Sequence, residues 1–151
     1  MIAPTIWNQL VLTLQNDVTL SRYIKYVFEG KRGEIEPDSL PCIMLEPTGN
    51  YVSEKEMNEV QDVYLNIDLF AFSSAQAADF KKTIVGGPNS KGILDIENDI
   101  RACLSSSYSL GDRVIDIKAD PSVFDTIDMD KYPVRGLLIP LRILYRQVNN
   151  L

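Results

Sequence analysis

Histidine is missing from all 151 residues. Its absence removes the commonest general base, the commonest side-chain metal ligand and every Ser-His-Asp or Cys-His arrangement at once. Cysteine is nearly as scarce, with only Cys42 in PCIML and Cys103 in IRACL. Two thiols far apart in sequence, each set in an apolar run, form neither a disulfide framework nor a zinc pattern. They read as small, reduced, buried hydrophobes, as in an intracellular protein. Long hydrophobic runs are lacking as well, and no stretch approaches the roughly 18 apolar residues of a membrane span. The opening MIAPTIWNQL has no basic region followed by an apolar run and a small-residue cleavage site, so no secretory signal is expected. Positive charge is in short supply too. Fifteen Lys and Arg stand against 21 Asp and Glu, for a net charge of −6, which argues against a broad face gripping nucleic-acid phosphates.

What is present is the make-up of an ordinary globular domain. A hydrophobic fraction of 45% and a charged fraction of 24% suit a soluble chain with one proper core, and no linker or internal repeat divides residues 1–151. Ile6, Leu10 and Leu14, with Trp7 and Val11 beside them, place an apolar stripe on a helix over Pro4 to Asn16, with Pro4 in its first turn. Leu20, Ile24 and Val27 suggest a second short helix stopping at Gly30, followed by a polar loop from Lys31 to Ser39. Cys42 to Glu46 reads as a strand between Pro41 and Pro47. Thr48 to Glu59, carrying Glu54, Lys55, Glu56 and Glu59, reads as a long exposed loop or hairpin tip, a kind of connection that is often functional.

The clearest periodicity lies in Val60 to Phe72. Val63, Leu65, Ile67 and Leu69 alternate with Asp62, Tyr64, Asn66 and Asp68, the period of an antiparallel strand with one buried face. Ala75 to Lys82 could form a helical turn, and Gly86 to Asn89 a loop. Ile93, Ile96, Ile100 and Cys103/Leu104 recur at helical spacing from Gly92 to Leu104, with Asp95 and Glu97 early and Arg101 late, as the helix dipole prefers. Arg113 to Lys118 reads as a short strand, and Asp120, Asp125, Asp128 and Asp130 as an acidic loop. Tyr132 to Val148 reads as a long strand which Pro140 should confine to an edge or a bulge. The order predicts an α+β fold: an antiparallel or mixed sheet of about four main strands packed against two or three helices.

Candidate chemistry is thin. The stretch Gly86-Gly87-Pro88-Asn89-Ser90-Lys91-Gly92 opens a helix but misses the phosphate-loop pattern, because Gly92 stands where Ser or Thr is required. The Asp120 to Asp130 cluster lacks the alternating ligands, central glycine and closing glutamate of a calcium loop. Ser105-Ser106-Ser107 has no nucleophile elbow around it. No catalytic, cofactor-binding or metal-ligating residue is expected. A small histidine-free enzyme would have to work with carboxylates such as Asp62 or Asp68. Arg135, Arg142 and Arg146 fall close together in sequence; solvent-facing strand residues are the simpler reading, and nucleic-acid contact the sharper one.

In pattern and order the chain resembles the tail terminator proteins of long-tailed bacteriophages and prophages, and their tail-completion, head–tail joining relatives. The likeness runs over nearly the whole chain. It rests on the N-terminal helix, Tyr26-Val27-Phe28-Glu29-Gly30, Leu40-Pro41-Cys42-Ile43-Met44-Leu45-Glu46-Pro47, the alternating strand Val63 to Phe72 and the helix opening Gly92-Ile93-Leu94-Asp95. It closes with the final strand, opening Tyr132-Pro133-Val134-Arg135 and ending Leu144-Tyr145-Arg146. The resemblance implies a structural virion protein with no enzymatic activity and no cofactor. Such a protein forms a homo-hexameric ring that caps the tail tube, ends tail polymerisation and joins tail to head. Its partners would be further copies of itself, the tail tube protein and the head completion or connector protein. DNA would only pass through the lumen and no membrane would be involved. Its place would be the virion tail, assembled in the host bacterial cytoplasm. The loop residues Glu54, Lys55, Glu56 and Glu59 and the strand residues Arg135, Arg142 and Arg146 are the candidate subunit or tail contacts. Acidic side chains facing a channel would repel passing DNA phosphates. Another head–tail connector, or a tube component of a contractile machine, is the alternative.

Overall fold

The computed structural model describes residues 2–52, 60–75, 81–87, 90–106, 114–129 and 132–148. Helix α1 spans Ile2–Asn16 and buries Ile6, Leu10, Val11 and Leu14, the expected stripe. The Asp17 carboxylate then accepts the N–H groups of Thr19 and Leu20 at 3.1 and 3.0 Å, starting a single 3-10 turn over Leu20–Arg22. The second helix expected here does not form. Tyr26–Glu29 is instead strand β1, because aromatic and β-branched side chains at 26–28 suit a pleated surface better than a helix. A second 3-10 turn, Pro37–Ser39, interrupts the predicted polar loop, and Ile35 beside it is buried.

Strand β2 runs over Cys42–Val52 and β3 over Val60–Ser74. The expected five-residue strand is therefore eleven residues long, and only its far end belongs to the expected loop. A bulge between Pro47 and Gly49 reconciles the two readings. It accommodates the missing proline N–H, and Gly49 takes φ +143°, open to glycine at little cost. Short helix α2 (Lys81–Ile84) precedes α3 (Ile93–Ser105), which buries Ile93, Ile96, Ile100, Cys103 and Leu104 as its periodicity predicts. Strands β4 (Val114–Ala119), β5 (Val123–Met129) and β6 (Tyr132–Val148) complete the chain.

The six strands form one mixed sheet in the order β1-β2-β3-β6-β4, with β5 also on β6. β1 runs parallel to β2, and all other pairings are antiparallel. β6 is thus a central strand, not an edge. It pairs with β3 from Val60↔Val148 to Ser74↔Val134 on one side, and with β5 and then β4 on the other. Pro140 is tolerated there because its carbonyl, and hence its missing N–H, points at the joint where β4 gives way to β5. Its oxygen accepts Asp120 N–H at 2.8 Å in that gap, so the proline costs no regular ladder bond. The expected acidic loop is also corrected. Asp125 and Asp128 lie within β5, since Val123, Phe124, Thr126 and Ile127 supply strand-forming side chains between them; Asp130 lies outside the described residues.

One sheet face carries α1 and α3. Its core joins Ile43 and Leu45 of β2, Leu65, Ile67 and Leu69 of β3, and Ile139, Leu141, Ile143 and Tyr145 of β6 to the helix residues. On the opposite face Ile35 and Leu40 pack over Cys42, Met44, Phe72 and Val134. Burial there pushes the Cys42 thiol up to about 11, in keeping with its reading as an inert core residue.

Candidate functional site: the two ends of the sheet

An open sheet has two edge strands, each presenting unpaired main-chain N–H and C=O groups. At one end the edge strand is β1, only four residues long. Its outward surroundings are aromatic and basic. Tyr26 is 52% exposed and stacks on Phe28 at 5.3 Å, Arg32 lies over the Phe28 ring at 4.3 Å and Lys31 over Phe70 at 4.8 Å. Glu29 is held by Trp7 Nε1–H at 2.6 Å, and Glu46 by the Lys31 N–H at 2.7 Å.

At the other end β4 and β5 follow one another along β6 as one interrupted edge. Arg101, reaching from α3, holds the joint together. Its guanidinium donates to the carbonyls of Ala119 (3.4 Å) and Asp120 (2.8 Å) and to Ser122 Oγ (2.6 Å). On either side of the joint, Ile115 in β4 and Val123 and Phe124 in β5 are 49%, 58% and 44% exposed. β5 contains no proline and no Lys or Arg, the residues that usually guard an edge. The Thr126 N–H turns to Asp125 Oδ1 at 2.8 Å, away from the ladder with β6. A shallow recess beside this edge is lined by Ile93, Phe124, Thr126 and Arg135. The two ends therefore differ in texture: stacked rings with Lys31 and Arg32 over aromatic faces at β1, exposed aliphatic and aromatic side chains at β4 and β5.

The sequence candidates are distributed differently. Glu54, Lys55, Glu56 and Glu59 lie outside the described residues. Arg135, Arg142 and Arg146 do not form one patch, because alternation along β6 sends them to opposite faces. Arg135 stands on the helix side, where Nε–H donates to Thr83 Oγ1 at 2.6 Å. Arg142 and Arg146 stand on the other face and are ion-paired with Asp120 at 2.9 Å and Asp62 at 3.1 Å. With β6 central in the sheet, Arg146 ties it to β3 and Arg142 ties it to the β4–β5 joint.

The carboxylates considered for chemistry are placed as follows. Asp62 is engaged by Arg146. Asp68 stands on an open sheet face opposite Glu46 and Pro140. Among the described residues no three His, Cys, Asp or Glu side chains converge as a metal site would require, and no helix is long and apolar enough to cross a membrane.

Sequence reasoning missed the β5 edge altogether, although V-F-D-T-I-D-M carried the signal in its β-branched and aromatic residues; counting aspartates hid it. No protein-family model matches the chain, and no curated protein matches it significantly.

Proposed function

We propose that this chain is a structural subunit of a phage-type tail, a ring-former that caps the tail tube, ends its polymerisation and joins tail to head. The observation that carries the reading is the β4/β5 edge, whose β5 segment has no proline, lysine or arginine and beside which Ile115, Val123 and Phe124 are exposed, lying at the far end of the sheet from the aromatic β1 end. A cyclic assembly needs two different and complementary faces on each subunit, because residues on one face must meet others on its neighbour. Pairing β5 with a second β5 would bring Asp125 towards its own copy, a like-charge contact that is unfavourable across strands. Pairing it with the β1 end of a neighbour brings Asp125 towards Lys25, Lys31 and Arg32, while β1's own Glu29 is already held by Trp7 Nε1–H. Main-chain bonds added at an edge give strength without demanding a distinctive sequence.

The arrangement of ionisable groups supports the same reading. The chain has no histidine, and Asp62, Asp95, Asp99 and Asp120 are all engaged in ion pairs or hydrogen bonds within the fold. Contact with the tail tube protein and with a head completion or connector protein, with DNA only passing through, follows from this role. Light scattering on size-fractionated protein over a range of concentrations tests it. The expected outcome is a closed, concentration-dependent oligomer, the hexamer foremost; a strict monomer at every concentration overturns it.

A further inference from the structure

A second feature lies away from both sheet ends. Where the carboxyl end of β3 meets α2, the start of α3 and the two 3-10 turns, a crevice of about 740 Å³ opens between Arg22, Ser73, Lys82, Lys91 and Asp95, with Leu40 and Pro41 among its walls. That volume is in the range of small-molecule sites. Ser73 is 4% exposed, and its hydroxyl is buried without a hydrogen-bond partner. Leaving such a group unpaired is unfavourable, so a polar atom within the crevice would be stabilised by it.

The charges around it run against the chain as a whole. In a protein of net charge −6, three cations and one carboxylate line this crevice. The carboxylate is already committed, since Asp95 Oδ2 accepts the N–H groups of Gly86 and Gly92 at 2.6 and 2.9 Å. Those contacts close off the helix start, so side chains must supply the attraction. Lys91 is shared with Asp99 at 3.3 Å. Arg22 and Lys82 form no ion pair among the described residues. A guanidinium fork, a flexible ammonium and a buried hydroxyl lining one crevice are donor types suited to a phosphate group, and Tyr23, Leu40 and Pro41 line the same crevice.

We propose that this crevice binds a small phosphate monoester, its dianionic head held by Arg22, Lys82 and the Ser73 hydroxyl and its organic part against Leu40 and Pro41. The site stands whether or not the chain forms rings. Calorimetric titration with phenyl phosphate and with inorganic phosphate tests it, with hydrogen exchange locating any protection. Saturable binding of phenyl phosphate is expected, about tenfold tighter than inorganic phosphate from burial of the ring, with protection at residues 73–75 and 81–87. Arg22→Gln and Lys82→Gln should each weaken binding about tenfold through loss of a charge-assisted bond. Ser73→Ala should weaken binding while leaving the thermal midpoint unchanged or higher, because its hydroxyl loses no partner in the fold. No saturable binding, affinity unaffected by both charge-removing variants, or inorganic phosphate binding as tightly as phenyl phosphate would each overturn the proposal. So would a Ser73→Ala protein that melts earlier yet binds normally.

Discussion

Replacing Phe124 by lysine is the perturbation that bears most directly on the β4/β5 edge. The ring is 44% exposed, and with roughly 200 Å² for a whole phenylalanine side chain it leaves about 90 Å² of apolar surface to be covered. At about 25 cal/mol per Å², covering it contributes about 2 kcal/mol to each subunit contact. Each subunit of a ring supplies one such edge, so Phe124→Lys should move the midpoint of assembly to a roughly thirtyfold higher protein concentration. The fold should hold, since Phe124 belongs to neither buried cluster. Sedimentation velocity across a dilution series reads the assembly, and circular dichroism melting reads the fold. Thr126→Pro is the backbone counterpart. It removes an N–H that faces Asp125 Oδ1, not the β6 ladder, and should weaken assembly with little effect on melting. An assembly midpoint unchanged in both variants, with the fold intact, would refute the assignment of this edge as a contact.

Three further expectations concern the fold that holds the edges in place. Pro140→Ala should shift stability by less than about 1 kcal/mol, whereas Ile139→Pro, whose N–H faces β3, should cost about 3 kcal/mol or more; equal effects in urea denaturation would contradict the placement of Pro140 at the β4–β5 joint. Gly92→Ala should destabilise by about 1–3 kcal/mol, because a Cβ there would fall 2.3 Å from the Ile84 carbonyl oxygen; an unchanged melting temperature would deny that close approach. Burial, followed by the hydrogen bond to Asp99 and its charge, raises Tyr23 well above its ordinary 10.0. The unfolded chain then loses this proton first, so stability that is intact below about pH 10 falls as pH rises beyond it. Denaturant titrations of Tyr23→Phe should show a shallower alkaline decline than the parent, and identical declines would exclude this contribution.

Much of the architecture was legible because it rests on local periodicity. The α1 stripe, the alternation in β3 and the repeat in α3 each follow from one amphipathic element packing on one core. Where the sequence misled, the deciding interaction was non-local. Residues 20–30 read as a helix until β2 offers Tyr26–Glu29 a parallel partner. Pro140 reads as an edge marker until the β4–β5 gap is seen beside it. Four aspartates read as a loop, although two of them lie within a strand with strand-forming neighbours. The candidate contacts suffered for the same reason. Arg135, Arg142 and Arg146 are near in sequence, and strand alternation alone separates Arg135 from the other two, but their partners Thr83, Asp120 and Asp62 come from segments distant in sequence. The Ser73 crevice had no sequence signature, because Arg22, Ser73 and Lys82 come from three separate segments.

The central claim is that these two unlike sheet ends bring copies of the chain into a closed ring around a channel. Negative-stain electron microscopy of the purified protein, at concentrations above its assembly midpoint, examines this directly. Top-view averages should show a closed annulus with rotational symmetry, sixfold foremost, and an open centre. Monomeric particles, two-fold dimers or open-ended filaments under those conditions would contradict it.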